Sequence, residues 1–199
     1  MRSGRLQTSS SCVVQADVVG FAAIIALRMT PRQPARYDRE PMNDPAATMR
    51  RLRELAFHVT AAELELTPTD ARPRVWGAIM ELGYTTGIAT LMTLAEGTTS
   101  LYFSNGGGVI GAGTHVAVRD AAERFLDLVE SHLAALPVAD STPTPRIGRV
   151  RFYARTFEGT RGVEVGEDEL SRQLHPLSPV FLAGHAVITA IRESSEAEG

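Results

Sequence analysis

The sequence predicts an α+β fold in which helices pack on one antiparallel sheet. Three observations lead to this class. Apolar residues alternate with polar ones in two groups of short segments, hairpin signals join the segments within each group, and segments of helical period separate the groups. A βαβ alternation, which would indicate a parallel sheet, is lacking. The predicted order is helix, three or four strands, helix, two strands, helix, within one domain over residues 48–192.

The first helix is predicted over residues 49–59, where the apolar side chains of Leu52, Leu55, Ala56 and Val59 share one face and arginines lie opposite. Thr48 is the expected N-cap. A loop containing two prolines then leads to the first strand.

Three segments form the first group of strands, at residues 75–84, 87–97 and 98–106. The pair Glu96-Gly97 marks a hairpin between the last two. A helix follows with a clear apolar stripe and a charged opposite face, which predicts that one side is exposed. The stripe consists of Val118, Ala122, Phe125, Val129 and Leu133, and Thr114 is its expected N-cap.

The second group begins after a proline-containing loop at residues 137–148 and comprises strands at 149–157 and 160–165. Ser178 as the N-cap, followed by Pro179 at the first helical position, predicts the start of the last helix. Residues 180–191 are apolar nearly all round the helix, which indicates burial in the core or at a partner surface. We expect the tail, residues 193–199, to be disordered.

This order of elements resembles the fold of the class I type III secretion chaperones and their relatives. The resemblance covers element order over residues 48–192 and includes no sequence motif. It implies a small dimeric protein that binds partner proteins.

Composition excludes several classes of protein. The chain has 199 residues, of which 44% are hydrophobic and 22% charged, as in ordinary globular proteins. Its net charge of −3 gives no reason to expect general nucleic-acid binding. The sequence contains no lysine, which rules out Schiff-base and P-loop lysines. Together with abundant Ala, Gly and Pro, this absence indicates a GC-rich bacterial genome.

The single cysteine, Cys12, excludes a disulfide scaffold and a cysteine-based metal site within one chain. One unpaired thiol fits a reducing cytoplasm, where we expect the protein to act. We expect no metal site and no cofactor, because the histidines lack metal-ligand spacing and no catalytic motif occurs.

Residues 1–47 are predicted to be an N-terminal extension that is either disordered or absent from the protein because translation starts at a later methionine. An apolar run over residues 18–27 follows two arginines and superficially resembles a signal peptide, but it is too short to span a membrane. Residues 30–47 have no apolar period. A signal or anchor and a structured element remain the alternatives. Internal start sites are available at Met29, Met42 and Met49.

A glycine-rich stretch, SNGGGVIGAGT at residues 104–114, spells the dinucleotide-binding pattern G-x-G-x-x-G. The pattern needs an acidic residue about 20 positions further on, after a second strand, and that position falls inside the predicted helix. We therefore interpret the stretch as a type I′ turn at Asn105-Gly106 that enters a short, glycine-kinked strand. A ligand-binding role remains open because His115 follows at a helix start. The residues concerned are Asn105, Gly106, Gly108, Gly111, Gly113, Thr114 and His115.

Polar side chains occupy alternate positions of the strand at 149–157, namely Arg149, Arg151, Tyr153 and Arg155. Three guanidinium groups and a tyrosine on one face can bind RNA, phosphate or an acidic peptide. The alternative is a solvated sheet face that pairs with Glu158, Glu164 and neighbouring carboxylates. A second acidic group at residues 167–169 is expected to be exposed with Glu164 and to aid capping and solubility.

The sequence thus predicts a non-enzymatic binding or regulatory protein that acts through protein contacts as a homodimer, with no specific nucleic acid and no membrane as partner. The resemblance in element order implies a chaperone-like role. The alternative is an enzyme or binding protein for a small ligand or phosphate that uses residues 104–115.

Overall fold

The computed structural model describes residues 44–197. The predictions for residues 1–43, including the apolar run, the internal start at Met29 and the thiol of Cys12, lie outside the described residues. The same holds for the last two residues of the tail.

The α+β fold and the predicted order of elements are confirmed, with one short helix in addition. The elements are α1 (Pro45–His58), β1 (Val75–Tyr84), β2 (Gly87–Leu94), β3 (Thr99–Phe103), β4 (Gly108–Val109), α2 (Val116–Ser131), β5 (Arg149–Thr156), β6 (Gly159–Gly166), α3 (Glu167–Ser171) and α4 (Ser178–Ala197).

The six strands form one antiparallel sheet in the order β4-β3-β2-β1-β5-β6. Strand β1 joins the two predicted groups, because it pairs with β2 on one side and with β5 on the other. Nearly every residue of β1 is buried. Both faces of the sheet must therefore be covered, which explains why this strand is apolar almost throughout.

One face of the sheet carries α2 and α4, which pack against each other. The core between these helices and the sheet includes Met80, Phe125, Phe152 and Val187. Helix α4 lies so close to β1 at Gly184 that a Cβ atom there would come within 2.7 Å of the Met80 sulfur, nearer than packed atoms approach each other, so a larger residue would force the Met80 side chain to shift.

The opposite face carries α1, which buries Met49, Leu52 and Ala56 against Trp76 and Met92. The fold therefore has three layers, with the sheet in the middle. The loop at residues 137–148 bridges to β6 through Val138 and Arg161 and then reaches the α1 side of the sheet, where its carbonyl groups accept hydrogen bonds.

Two predicted N-caps are wrong. Helix α1 begins at Pro45 with Asp44 as its N-cap, whose carboxylate accepts a hydrogen bond from the Ala46 amide at 2.9 Å, so Thr48 lies inside the helix. Helix α2 begins at Val116, and its N-cap residue is His115 rather than Thr114. An aspartate before a proline gives a stronger start signal than a threonine four residues later.

Helix α4 begins at Ser178 itself, one position earlier than an N-cap at Ser178 implies. The helix continues to Ala197, beyond the predicted domain boundary at residue 192. The serine side chain accepts a hydrogen bond from the His175 amide at 3.4 Å.

The glycine-rich stretch forms the hairpin between β3 and β4. The type I′ turn is wrong, because the turn is centred on Ser104 and Asn105, and Asn105 has no positive φ. Gly106 and Gly107 complete the loop with φ values of +106° and +86°, which a glycine adopts without strain. The returning strand is limited to Gly108–Val109.

Beyond the hairpin, Gly113 packs against the β2–β3 turn. A methyl group at this position would overlap the carbonyl oxygen of Gly97. We therefore expect Gly113→Ala to lower the free energy of unfolding by about 3 kcal/mol, at the upper end of overpacking costs because the overlap is with backbone, measured by urea denaturation. Gly107→Ala is the control, since nothing lies near its Cβ position and its cost is limited to backbone strain of about 1 kcal/mol. Equal stability of the two variants would contradict the close approach.

Candidate functional site

A row of polar side chains crosses the sheet on the face that α1 covers. Its members are direct cross-strand neighbours on five successive strands: Tyr102 on β3, Thr90 on β2, Glu81 on β1, Arg151 on β5 and Glu164 on β6. Charged groups rarely lie in a sheet interior without partners. The contacts of this row therefore decide what it can do.

Glu81 is completely buried, and Arg53 of α1 reaches down to it. Its carboxylate oxygens lie 2.6 and 2.8 Å from Arg53 Nε and Nη2, and Thr90 Oγ1 donates a further hydrogen bond at 3.1 Å. Burial acts to lower the pKa of Arg53, but the hydrogen bond and charge of Glu81 outweigh it, so the pKa is raised. Arg53 also donates to the Thr142 carbonyl at 2.8 Å, which ties the loop at 137–148 to the same pair.

Two tyrosines flank this pair. The Tyr153 hydroxyl donates to the Pro143 carbonyl at 2.6 Å, and its ring meets the ring of Phe57 edge-on. The Tyr102 hydroxyl is buried and has no hydrogen-bond partner within residues 44–197. Burial, and then the charge of Glu81, raise the pKa of both phenols, so both stay protonated near neutral pH.

Three arginines contact Glu164 at the β6 edge of the sheet. Its carboxylate lies 2.7 Å from Arg146 Nη2, 3.5 Å from Arg149 Nε and 2.8 Å from Arg151 Nε. The Arg151 contact is a charge pair with poor hydrogen-bond alignment. Burial opposes ionisation of Glu164, but Arg146 and Arg151 outweigh it and lower its pKa.

The expectation that Glu164 is exposed with the acidic residues that follow it is wrong, because its side chain is almost wholly buried among these arginines. The other carboxylates, Glu167, Asp168 and Glu169, lie in the first turn of α3, where acidic side chains stabilise a helix start.

Arg155 lies on the same face of β5 but has a different environment. It is only 7% exposed, and its guanidinium donates to the Ala56 and Val59 carbonyls at 2.6 and 2.7 Å, at the end of α1. It lies 4.8 Å from the centre of the Trp76 ring. Burial lowers its pKa to about 10. A solvated arginine face is thus wrong for Tyr153 and Arg155, which α1 covers.

Two open cavities lie beside the β5–β6 turn, on either side of Phe157. One, of about 430 Å³, is lined by Ala61, Ala62, Leu66, Trp76 and Arg155, and also by Thr60 and Thr160. The other, of about 510 Å³, lies between the chain around two prolines and the end of α2, and it is lined by Pro68, Pro73, Arg74, Leu133, Ala134, Glu158 and Arg161. Thr156 and Phe157 line both.

The seven residues of the glycine-rich stretch do not meet in one cavity. Asn105 and Gly106 lie in the turn after β3, next to Pro45, whereas Gly113 packs on Gly97 at the other end of β3. Gly108 lies between them, where a methyl group would overlap the Leu101 carbonyl oxygen. The tight backbone packing predicted for the stretch is present, and its ligand-binding role stays a prediction.

The histidines are also dispersed. Within residues 44–197 no three His, Cys, Asp or Glu side chains are grouped to hold a metal ion. His185 of α4 packs edge-on against Phe181, and burial lowers its pKa. This matches a packing role, although its Nε2 atom has no hydrogen-bond partner in the described part of the chain.

Sequence reasoning missed Glu81, Arg53, Trp76 and both cavities. One signal was available for Glu81, which is the only charged residue in the otherwise apolar segment VWGAIMELGY. A carboxylate at that place requires a partner from another element. No local pattern identifies that partner as Arg53.

The Arg53–Glu81 pair can be tested by a double-mutant cycle. We expect Arg53→Met to reduce the free energy of unfolding by about 3–5 kcal/mol, because Glu81 is left buried without a countercharge. Adding Glu81→Met should recover most of this loss. Arg50→Met is the control, since Arg50 forms an exposed pair with Asp44 on the same helix and should cost at most about 1 kcal/mol. Additive effects of the two substitutions, measured by urea denaturation, would contradict the coupling.

None of the helices in residues 44–197 is both long enough and apolar enough to cross a lipid bilayer. Comparisons of the chain with protein-family models, with curated proteins and with solved structures found no match.

Proposed function

We propose that this protein is a non-enzymatic binding protein that holds an extended segment of a partner protein in the groove formed by the two cavities beside Phe157. The carrying observation is that the cavities adjoin, since Thr156 and Phe157 line both. An extended chain places successive side chains on opposite sides, so one segment can fill both cavities across the Phe157 ring.

The lining suits such a segment. Apolar walls at Leu66, Trp76 and Leu133 accept side chains, while Arg74, Glu158 and Arg161 supply polar contacts around the second cavity. Each cavity has the size of a pocket for a large side chain or a small molecule. The predicted order of elements, which resembles that of partner-binding secretion chaperones, supports the same role.

The polar row under α1 is a less suitable place for chemistry. Arg53 and Glu81 satisfy each other beneath the helix, and Glu164 is held by arginines. A general acid or base must reach its substrate, and these groups face protein. We therefore assign the row to positioning α1 and the loop at 137–148.

Peptide selection tests the proposed function. A random peptide library displayed on phage, selected against the full chain, is expected to yield peptides whose binding is weakened at least tenfold by Ala134→Trp, which blocks the 510 Å³ cavity. Ala135→Trp is the control, because Ala135 is exposed next to it and lines neither cavity. Peptides that bind Ala134→Trp and Ala135→Trp as tightly as they bind the wild type would contradict the groove. Failure to select any peptide would contradict it too.

We further propose a homodimer in a bacterial cytoplasm, with the outer side of α4 as the interface. Leu182 is 46% exposed on this helix, and Ala186 is exposed one turn further on. An apolar helix side that its own core leaves uncovered is typical of a subunit interface.

Size-exclusion chromatography with light scattering should give a dimer mass for the wild type and a monomer mass for Leu182→Glu, because a buried carboxylate opposes association. Leu174→Glu, at a more exposed leucine outside α4, should remain dimeric. A monomeric wild type at micromolar concentration would overturn this interface.

A further inference from the structure

We propose that the 430 Å³ cavity recognises a carboxylate joined to an apolar group, and that Arg155 receives this carboxylate. The inference rests on the proposed function in one respect, because it assigns the carboxylate to an acidic residue of the partner segment. A carboxylate joined to an apolar group is the chemistry that the groove selects. The shape of the groove alone does not specify that chemistry.

Arg155 differs from the other arginines of β5 in what neutralises its charge. Within the described residues, its strand neighbours Arg149 and Arg151 both contact Glu164, whereas Arg155 contacts no carboxylate. Its neighbours across the strands are Gly77 and Thr160, which carry no charge. A buried cation without a countercharge is costly, and two carbonyl groups at the end of a helix offset that cost only in part.

The Arg155 guanidinium has more N–H donors than its contacts within the protein use. A guanidinium group has five N–H donors, and the contacts to the Ala56 and Val59 carbonyls use two of them. Arg155 also lines the cavity. Charge-assisted hydrogen bonds to a carboxylate are about twice as strong as neutral ones, so the remaining donors favour an anion over a neutral group.

The wall of the cavity beside Arg155 is largely apolar. Trp76, Leu66 and Phe157 form an apolar surface beside the guanidinium, and Thr160 adds a hydroxyl, whereas the Thr60 hydroxyl is already donated to Glu63. A carboxylate carried on an aromatic or aliphatic group therefore meets both kinds of contact together. A phosphate dianion has twice the charge of this single cation, and Glu158 lines the adjoining cavity, so a monoanion is the better match.

The chain provides its own probe for this test. Trp76 is its single tryptophan, and it lies beside Arg155 in the cavity. Titration of the full chain with 3-phenylpropionate should change the tryptophan fluorescence saturably, with a dissociation constant at least tenfold lower than for 3-phenylpropionamide, which has the same shape and no charge. Inorganic phosphate should produce no saturable change at the same concentrations.

Variants then locate the binding. The substitution Ala62→Leu narrows the cavity without adding a second tryptophan to the fluorescence signal. It should weaken the binding of 3-phenylpropionate at least fivefold. Ala135→Leu, away from the cavity, should leave it unchanged. Arg155→Gln should abolish the preference for the carboxylate over the amide. If this variant does not fold, Ala62→Leu and the amide comparison still decide.

Equal affinity for the acid and the amide, binding of neither, or equally tight phosphate would each overturn the proposed carboxylate site. Selected peptides separate this inference from the proposed function. If they occupy the groove but keep their affinity when their acidic residues are changed to amides, the carboxylate inference fails and the proposed function stands. If 3-phenylpropionate binds as expected but no peptide is selected, the cavity recognises carboxylates and the partner-binding function fails.

Discussion

The buried ion pair between Arg53 and Glu81 is the interaction on which the α1 side of this fold depends. Glu81 sits in the central strand with no access to water, so its charge is tolerated only while Arg53 contacts it. Arg53 reaches the strand only if α1 lies across that face. The same guanidinium binds the Thr142 carbonyl, so one side chain holds together the sheet, the helix and the loop at 137–148.

A second anchor sets where α1 ends. Arg155 binds the Ala56 and Val59 carbonyls, which fixes the last turn of the helix over Trp76. The chain then leaves the sheet through residues 60–66, and the 430 Å³ cavity opens between this segment and the β5–β6 turn. The cavity is thus a consequence of how α1 is terminated. The arginine that stabilises the helix end is also the cation that faces the space beside it.

Most elements follow from local sequence. Strands β2 and β5 begin where period-two alternation and turn residues predict them, β1 coincides with its continuous apolar run, and α2 follows its apolar stripe, because these signals act within a few residues. The start of α1 differed because Asp44 and Pro45 form a better cap than Thr48. The cavities bring together residues 60–66, 76 and 155–160, and the contact between such distant segments depends on tertiary packing that no local period encodes. Glu81 is an intermediate case. The sequence reveals that its carboxylate needs a partner from another element, and the structure shows that the partner is Arg53.

The arginines of β5 show why residue type and spacing alone do not define a site. Arg151 lies between Glu81 and Glu164 in the sheet register, so its charge is neutralised by its neighbours. Arg155, four residues along the same face, lies between Gly77 and Thr160, so the described sheet gives it no acidic neighbour in the register. Alternation places both side chains identically, but only the neighbouring strands determine whether the charge is matched. An external carboxylate is therefore expected at Arg155 and not at Arg151, since binding energy is gained where the fold leaves a cation without an anion.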